Sequence, residues 1–161
     1  MTGAEVLALT LRAEAAGRPV RALEALAALV VNRARLAAEG SAPRARFAPD
    51  AGAGWAGLLA AACRAPFLFA CWQPGRRPPL AAPDALTEAC QRIARRALGG
   101  ALADPTGGAT HWHDGACLPG WAIGQVPVAE IGGLVFYRLA AEAPPCANAK
   151  PAAESRARLR A

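Results

Sequence analysis

The fold of this chain is decided by residues 104–113, which read Asp-Pro-Thr-Gly-Gly-Ala-Thr-His-Trp-His. Pro105 pre-sets φ to about −65° and the following glycines accept positive φ, so this stretch predicts a tight turn. If the residues after the turn are extended, their side chains alternate, which places His111 and His113 on one face and Trp112 on the other. Two imidazoles and a large ring beside a glycine turn indicate a functional site.

The clearest strand pattern lies near the end of the chain, where residues 134–139 read Leu-Val-Phe-Tyr-Arg-Leu. This run of β-branched and aromatic residues predicts a strand that pairs antiparallel with residues 109–113. The intervening residues 114–133 are rich in Gly and Pro and are predicted to form a connection that contains Trp121.

Four helical patterns precede the turn. Apolar residues at helical spacing predict helices over residues 4–16, 21–39 and 55–65, and a fourth that Asp84 caps and Gly99-Gly100 ends. The second has the broadest apolar stripe and is expected to be the central core helix. Residues 41–54 are predicted to form a loop. The chain is therefore expected to be a mainly helical α+β protein with a small antiparallel sheet.

The composition is consistent with one domain. The 161 residues are 54% hydrophobic but only 6% aromatic, so Ala, Leu and Val dominate and favour helices. The formal net charge of +6 indicates attraction to anionic surfaces such as nucleic acid, acidic lipid or a bacterial wall polymer. Arginines spread along the chain without a recognition-helix pattern argue against nucleic acid. We expect a domain over residues 1–140 and a disordered basic tail over 141–161.

The N-terminal residues carry no basic segment before the first helix, so no signal peptide is predicted. The apolar run over residues 58–70 is interrupted by Arg64 and Pro66 and is too short to span a bilayer. We therefore expect a monomer made in the cytoplasm, which reaches a cell wall by release or by a non-Sec route.

Five cysteines occur without a Cys-x-x-Cys pair, which argues against a zinc ribbon or a thioredoxin motif. Free and mostly buried thiols are one interpretation. A single disulfide, such as Cys71 to Cys117, is the other, and it would require an oxidising compartment.

Glu14 is the most informative acidic residue. It follows Leu7 and Leu11 at helical spacing, so its carboxylate shares the apolar face, at a helix end where the macrodipole disfavours negative charge. Both effects favour a protonated acid that can act as a proton donor. The alternative is an i, i+4 ion pair with Arg18 on a solvated face.

Three kinds of chemistry fit these residues. His111 and His113 could bind a metal with Asp104 or Asp114 as a third ligand, although no His-Glu-x-x-His motif is present. Cys117 could be a peptidase nucleophile that one of the histidines activates. Alternatively, one carboxylic acid could protonate a glycosidic oxygen, as in a transglycosylase-like cleavage that needs no second carboxylate, unlike ordinary glycoside hydrolysis.

A family resemblance favours the last of these. The chain resembles the SleB/CwlJ-type cell wall hydrolases, which include the spore-cortex-lytic enzymes, over roughly residues 4–139. The matching segments occur in the family's order: Leu-Arg-Ala-Glu14-Ala-Ala-Gly, Val31-Asn32-Arg33, Phe69-Ala-Cys71-Trp72, residues 104–113, Pro119-Gly-Trp121-Ala, and Ile131-Gly-Gly-Leu-Val-Phe136-Tyr137. Of these, residues 104–113 are the most specific.

The resemblance implies a compact fold similar to lysozyme and the lytic transglycosylases. It implies cleavage of the MurNAc–GlcNAc linkage of peptidoglycan with Glu14 as the general acid, and no cofactor or metal. The residues it implies for substrate binding or support of the groove are Thr110, His111, His113, Trp72, Trp121 and Tyr137. A peptidoglycan-binding protein with lost or reduced activity is the alternative.

The chain departs from the family's usual motifs at several positions. Ala13, Ala16 and Arg18 replace a glycine, an arginine and a glutamate in the first motif. Leu68 and Leu134 stand where the family often has glutamine and usually has histidine. The first motif thus keeps the acid but loses polar neighbours.

Overall fold

The computed structural model describes residues 1–14, 17–76, 78 and 82–139. They form five α-helices and three strands: α1 Gly3–Glu14, α2 Val20–Glu39, α3 Ser41–Phe47, α4 Gly54–Arg64, α5 Ala85–Leu98, β1 His111–Asp114, β2 Ala129–Ile131 and β3 Leu134–Tyr137. Two short 3-10 turns cover Ala70–Trp72 and Gly120–Ala122. This mainly helical α+β architecture confirms the expected fold class. The predicted tail over residues 141–161 lies outside the described residues.

The helices form where the apolar patterns predicted them. In α2 an almost unbroken run of side chains from Ala22 to Ala34 is buried, which confirms it as the core helix. Both α1 and α4 pack on α2, and α5 packs on α1 and α2. Asp84 caps α5, since its Oδ1 accepts the backbone N–H of Thr87 at 2.7 Å.

The first helix ends at Glu14, and residues 15 and 16 lie outside the described part. Gly17 has a φ of 77°, the left-handed conformation that glycine commonly adopts just after a helix. The chain then turns at Pro19 and enters α2.

The predicted loop over residues 41–54 is wrong at its start, where α3 forms. Pro43 lies in the first turn of this helix, where its missing N–H has no intrahelical partner to lose. Phe47 is 1% exposed and contacts His111, with ring centroids 6.5 Å apart. Burial of this one ring stabilises a segment whose local sequence signals a loop.

The sheet confirms the predicted pairing and adds one strand. Its order is β1-β3-β2 and every pair is antiparallel, with His111 opposite Tyr137 and Trp112 opposite Phe136. Strand β2 lies within the connection predicted between residues 114 and 133. It is an edge strand of three residues, too short to carry a recognisable alternating pattern.

The strand β1 has the predicted alternation. Trp112 faces the helices and packs on Phe69, with ring centroids 5.9 Å apart. His111 and His113 face the opposite side of the sheet, where both contact Trp121. No helix within the described part of the chain combines the length and apolarity that crossing a bilayer requires.

Candidate active site

The turn before β1 is held by the carboxylate of Asp104. Oδ1 accepts the N–H and the hydroxyl of Thr106 at 2.8 and 2.6 Å, and Oδ2 accepts the N–H of Gly108 at 2.8 Å. Gly107 and Gly108 have φ values of 65° and 82°, as the turn chemistry predicted. Burial opposes ionisation of Asp104, but these hydrogen bonds outweigh it and hold its pKa below the usual range.

The helix α2 anchors the same turn from below. The side-chain amide of Asn32 donates to Asp104 Oδ2 at 3.0 Å and to the carbonyl of Ala109 at 3.2 Å. Arg33 is 4% exposed, and its Nε donates to the carbonyl of Thr110 at 2.6 Å. Neither Asn32 nor Arg33 was predicted to have a role. Their adjacent positions in a buried helix could have indicated one, because buried polar side chains need hydrogen-bond partners.

Beyond the turn, four rings form an aromatic cluster of His111, His113, Trp121 and Tyr137. Trp121 lies at centroid distances of 5.7, 5.8 and 5.3 Å from the other three rings in that order. His113 stacks on Tyr137 at 5.5 Å. The site residues predicted around the glycine turn are thus brought together, with Thr110 hydrogen-bonded to His111 Nδ1 at 2.8 Å.

The hydrogen bonds of His113 define its tautomer. Nδ1 lies 2.8 Å from the carbonyl oxygen of Asp114, which can only accept, so Nδ1 carries the proton. Nε2 lies 3.0 Å from the hydroxyl oxygen of Tyr137, within hydrogen-bonding distance. Both ring nitrogens are therefore engaged. Because His113 is 5% and His111 0% exposed, the structure places both imidazoles beneath the surface.

Glu14 lies outside the aromatic cluster, at the end of α1. It is the half-buried last residue of α1, one turn after Thr10 on the same face. Thr10 Oγ1 accepts the indole N–H of Trp72 at 2.8 Å, which brings the Ala70–Trp72 turn against this face. Burial raises the pKa of the Cys71 thiol to about 12, and the negative charge of Glu14 acts in the same direction.

An ion pair ties the loop after Glu14 to the end of β1. Arg18 Nη2 lies 2.6 Å from Asp114 Oδ2, so the predicted alternative partner of Glu14 is engaged with the strand. Asp114 shares a face with Trp112, and its carbonyl holds His113. Asp114 therefore links the loop after Glu14 to the strand that carries the histidines.

Two of the departures from the family motifs are core substitutions. Leu68 and Leu134 are both 0% exposed, so their side chains pack in the core. Arg18 exchanges a carboxylate for a guanidinium beside Asp114, whereas Ala16 lies outside the described residues.

The tryptophans predicted for sugar stacking are both half-buried. One face of Trp72 is covered by the guanidinium of Arg64, 5.0 Å from the ring centroid. Nε1 of Trp121 is buried and has no hydrogen-bond acceptor among the described residues. Substrate contacts stay predictions for all six residues: Trp72, Trp121, Tyr137, Thr110, His111 and His113.

The cysteine alternatives are not supported by this arrangement. Cys71 is buried and Cys117 exposed, and both are free thiols, so the disulfide considered between them is wrong. Cys117 has no free histidine base nearby in sequence, because both nitrogens of His113 are engaged. Cys63, like Cys71, has its pKa raised to about 12 by burial, which keeps the thiol protonated.

The metal alternative lacks its third ligand. Within residues 1–14, 17–76, 78 and 82–139, no group of three His, Cys, Asp or Glu side chains is placed to hold a metal ion. Asp104, one of the ligands considered, instead accepts four hydrogen bonds from Thr106, Gly108 and Asn32.

Comparisons with known proteins identify the family and the fold. A family model described as Cell Wall Hydrolase matches residues 17–137, a range that begins just after Glu14. The catalytic domain of Bacillus cereus SleB has a similar fold, at 20% identity over 84% of this chain and 89% of that chain, with a TM-score of 0.59. The catalytic domain of the germination-specific lytic transglycosylase SleB from Bacillus anthracis matches at 19% identity over 84% and 93%, with a TM-score of 0.56.

No curated protein sequence matches the chain. The family model nevertheless spans most of it, and the structural matches cover nearly the whole of both SleB domains. The chain therefore belongs to the cell wall hydrolase family, and its fold is similar to that of the SleB catalytic domains.

Proposed function

We propose that this protein cleaves the MurNAc–GlcNAc linkage of peptidoglycan glycan strands, with Glu14 as the general acid. The observation that carries the proposal is the position of Glu14. It is half-buried at the end of α1, one turn after Thr10, which binds Trp72, and four residues before Arg18, which pairs with Asp114. A carboxyl group in partly desolvated surroundings is suited to hold a proton for transfer.

The reaction needs one acid that acts twice. Glu14 donates its proton to the glycosidic oxygen as the bond between that oxygen and the anomeric carbon of MurNAc breaks. The glutamate, now ionised, accepts a proton from the MurNAc 6-hydroxyl as its oxygen bonds to the anomeric carbon and forms an anhydro sugar. A water that takes the place of this hydroxyl gives a reducing sugar instead. In either case the proton returns to Glu14.

In this scheme the aromatic cluster acts as a support. His111 and His113 lie below the surface, and the hydrogen bond between His113 and Tyr137 holds β1 against the end of β3. Asp114 links this cluster to the loop that follows Glu14, since its carbonyl binds His113 and its carboxylate binds Arg18. A rigid connection of this kind would keep the acid at a constant distance from the bound glycan.

Product analysis tests the proposed linkage. Purified sacculi are digested with the wild-type protein, and the soluble fragments are analysed by mass spectrometry before and after borohydride reduction. We expect fragments that end in anhydro-MurNAc, or in reducing MurNAc if water is the acceptor. Fragments that end in reducing GlcNAc, or cleaved peptide bonds with intact glycan, would reject the proposal.

The alternative is a peptidoglycan-binding protein that has lost turnover, and the exchange at Arg18 is the observation that favours it. A guanidinium replaces the carboxylate that the family motif places four residues after the acid. Sedimentation with sacculi and product analysis on the same sample separate the two functions. Binding without soluble fragments supports the alternative, whereas fragments reject it.

A further inference from the structure

A second candidate site borders the glycine turn, where Thr110 and Phe47, which both contact His111, also line it. A surface cavity of about 650 Å³ opens between the end of α2, the turn and the residues after β3, and we call it the turn cavity. Its charged lining residues are Arg35, Glu39, Asp104 and Arg138. Glu14 does not line it.

The turn cavity is remote from the proposed acid. Arg35 lies about 22 Å along α2 from Val20, since an α-helix rises about 1.5 Å per residue. The Arg18–Asp114 pair that follows Glu14 is at the opposite end of this helix and of β1. A ligand in the turn cavity would therefore contact a part of the substrate that does not react.

The two arginines are available to a ligand. Both side chains are exposed, and neither forms an ion pair with a carboxylate in the part of the chain that the structure describes. Arg138 lies against the turn, because a Cβ built on Gly108 would be 3.6 Å from Arg138 Cδ. Guanidinium groups at a concave surface bind carboxylates through paired N–H donors.

The two carboxylates of the turn cavity have different roles. Asp104 accepts four hydrogen bonds within the turn and from α2, so its lone pairs are occupied. Glu39 is exposed at the last turn of α2. The cavity therefore presents two cationic groups and one accessible anionic group, an arrangement that complements a ligand carrying both carboxylates and an ammonium group.

We infer that the turn cavity binds the stem peptide of peptidoglycan, with Arg35 and Arg138 on its carboxylates and Glu39 on the free amine of its diamino acid. This inference rests on the proposed function, because it takes peptidoglycan as the substrate. An extended peptide of about five residues spans up to about 17 Å, less than the distance of about 22 Å along α2. The stem peptide that we assign to the turn cavity is therefore one carried by a sugar farther along the glycan strand than the sugar at Glu14.

The test is a titration of the full-length, ¹⁵N-labelled protein with the tripeptide L-Ala-γ-D-Glu-diaminopimelate, followed by NMR. We expect shifts of the amide signals of Gly108 and Arg138, and at least tenfold weaker binding when the peptide carboxylates are amidated. Arg138→Gln and Arg35→Gln should each weaken binding at least fivefold, and Arg138→Lys should restore part of it. Arg92→Gln, an exposed site on α5, is the matched control and should bind as the wild type does.

Glu39→Gln supplies a second readout. It should weaken binding of the unmodified peptide but leave binding of a peptide with an acetylated side-chain amine unchanged. No shifts at millimolar peptide, equal affinity for the amidated peptide, or full affinity in both arginine variants would overturn the inference. Cleavage of sacculi without peptide binding rejects the inference alone, and peptide binding without cleavage rejects the proposed function alone.

Discussion

Replacement of Asp104 by alanine should destabilise the protein more than the same replacement at any other exposed acidic residue that the structure describes. The carboxylate accepts four hydrogen bonds, two from Thr106, one from Gly108 and one from Asn32, at 2.6 to 3.0 Å. Alanine removes all four acceptor positions at once. The hydroxyl of Thr106, a residue that is 0% exposed, would lose a partner that water cannot easily replace.

The expected loss follows from those bonds. A hydrogen bond contributes about 0.5–1.5 kcal/mol net, and bonds to a charged group about twice that when buried. Asp104 is itself exposed, so we take about 0.5–1 kcal/mol for each of the four bonds. The free energy of unfolding should therefore fall by about 2–4 kcal/mol in Asp104→Ala at pH 7.

The difference should depend on pH in a defined direction. Hydrogen bonds hold the pKa of Asp104 below its usual range in the folded protein. Its contribution to stability is therefore complete above the unfolded-state pKa of about 3.9 and is lost as the pH falls through the folded value. The difference in the free energy of unfolding between the wild type and Asp104→Ala should have its full value at pH 7 and should decrease below about pH 4.

Urea denaturation followed by circular dichroism measures both effects. Asp50→Ala is the matched control, because Asp50 is an exposed residue after α3 and should change stability by less than about 0.5 kcal/mol. This account of the turn would be refuted if Asp104→Ala lowered the free energy of unfolding by less than about 1 kcal/mol at pH 7, or if its difference from the wild type increased in acid.

Three further predictions concern the surroundings of the site. A double-mutant cycle of Arg18→Gln and Asp114→Asn should give a coupling free energy of about 0.5–1 kcal/mol that decreases in 1 M salt, and zero coupling would contradict the ion pair. Tyr137→Phe leaves the buried Nε2 of His113 without its donor and should cost about 1–3 kcal/mol in urea denaturation, so an unchanged midpoint would contradict that bond. Among the cysteines that the structure describes, iodoacetamide at pH 8 should alkylate Cys117 and spare the buried Cys63, Cys71 and Cys90 on peptide mapping, and rapid alkylation of one of these three in folded protein would contradict their burial.

Local patterns predicted most of the fold. The helices α1, α2, α4 and α5 follow their apolar spacing, and the Asp84 cap and the positive φ of Gly107 follow from the residue types alone. The pairing of β1 with β3 followed from two strand patterns with one glycine-rich connection between them. These features depend on interactions over a few residues or on a single periodic face.

The parts that the sequence did not reveal depend on distant contacts. Helix α3 is stabilised by Phe47, which packs on His111 and on the guanidinium of Arg33 at 5.1 Å. Arg18 and Asp114 are 96 residues apart, so no spacing rule pairs them. Only the fold brings such residues together.

The sequence predicted which residues belong to the candidate site better than it predicted how they are arranged. The face shared by His111 and His113 followed from strand alternation, but their burial did not, because Trp121 and Tyr137 cover that face from distant segments. Asp104 was considered as a metal ligand because its carboxylate is close in sequence to the histidines. In the fold its carboxylate oxygens instead accept hydrogen bonds from Thr106 in the turn and from Asn32.

The central claim is tested most directly by the rate at which Glu14→Gln releases soluble fragments from purified sacculi. The side chain keeps its size but cannot donate a carboxylic proton, so we expect the rate to fall about 10²- to 10⁴-fold while circular dichroism and sacculus binding stay unchanged. Glu88→Gln, an exposed glutamate on α5, should retain the wild-type rate. Fragment release by Glu14→Gln at the wild-type rate would contradict the account.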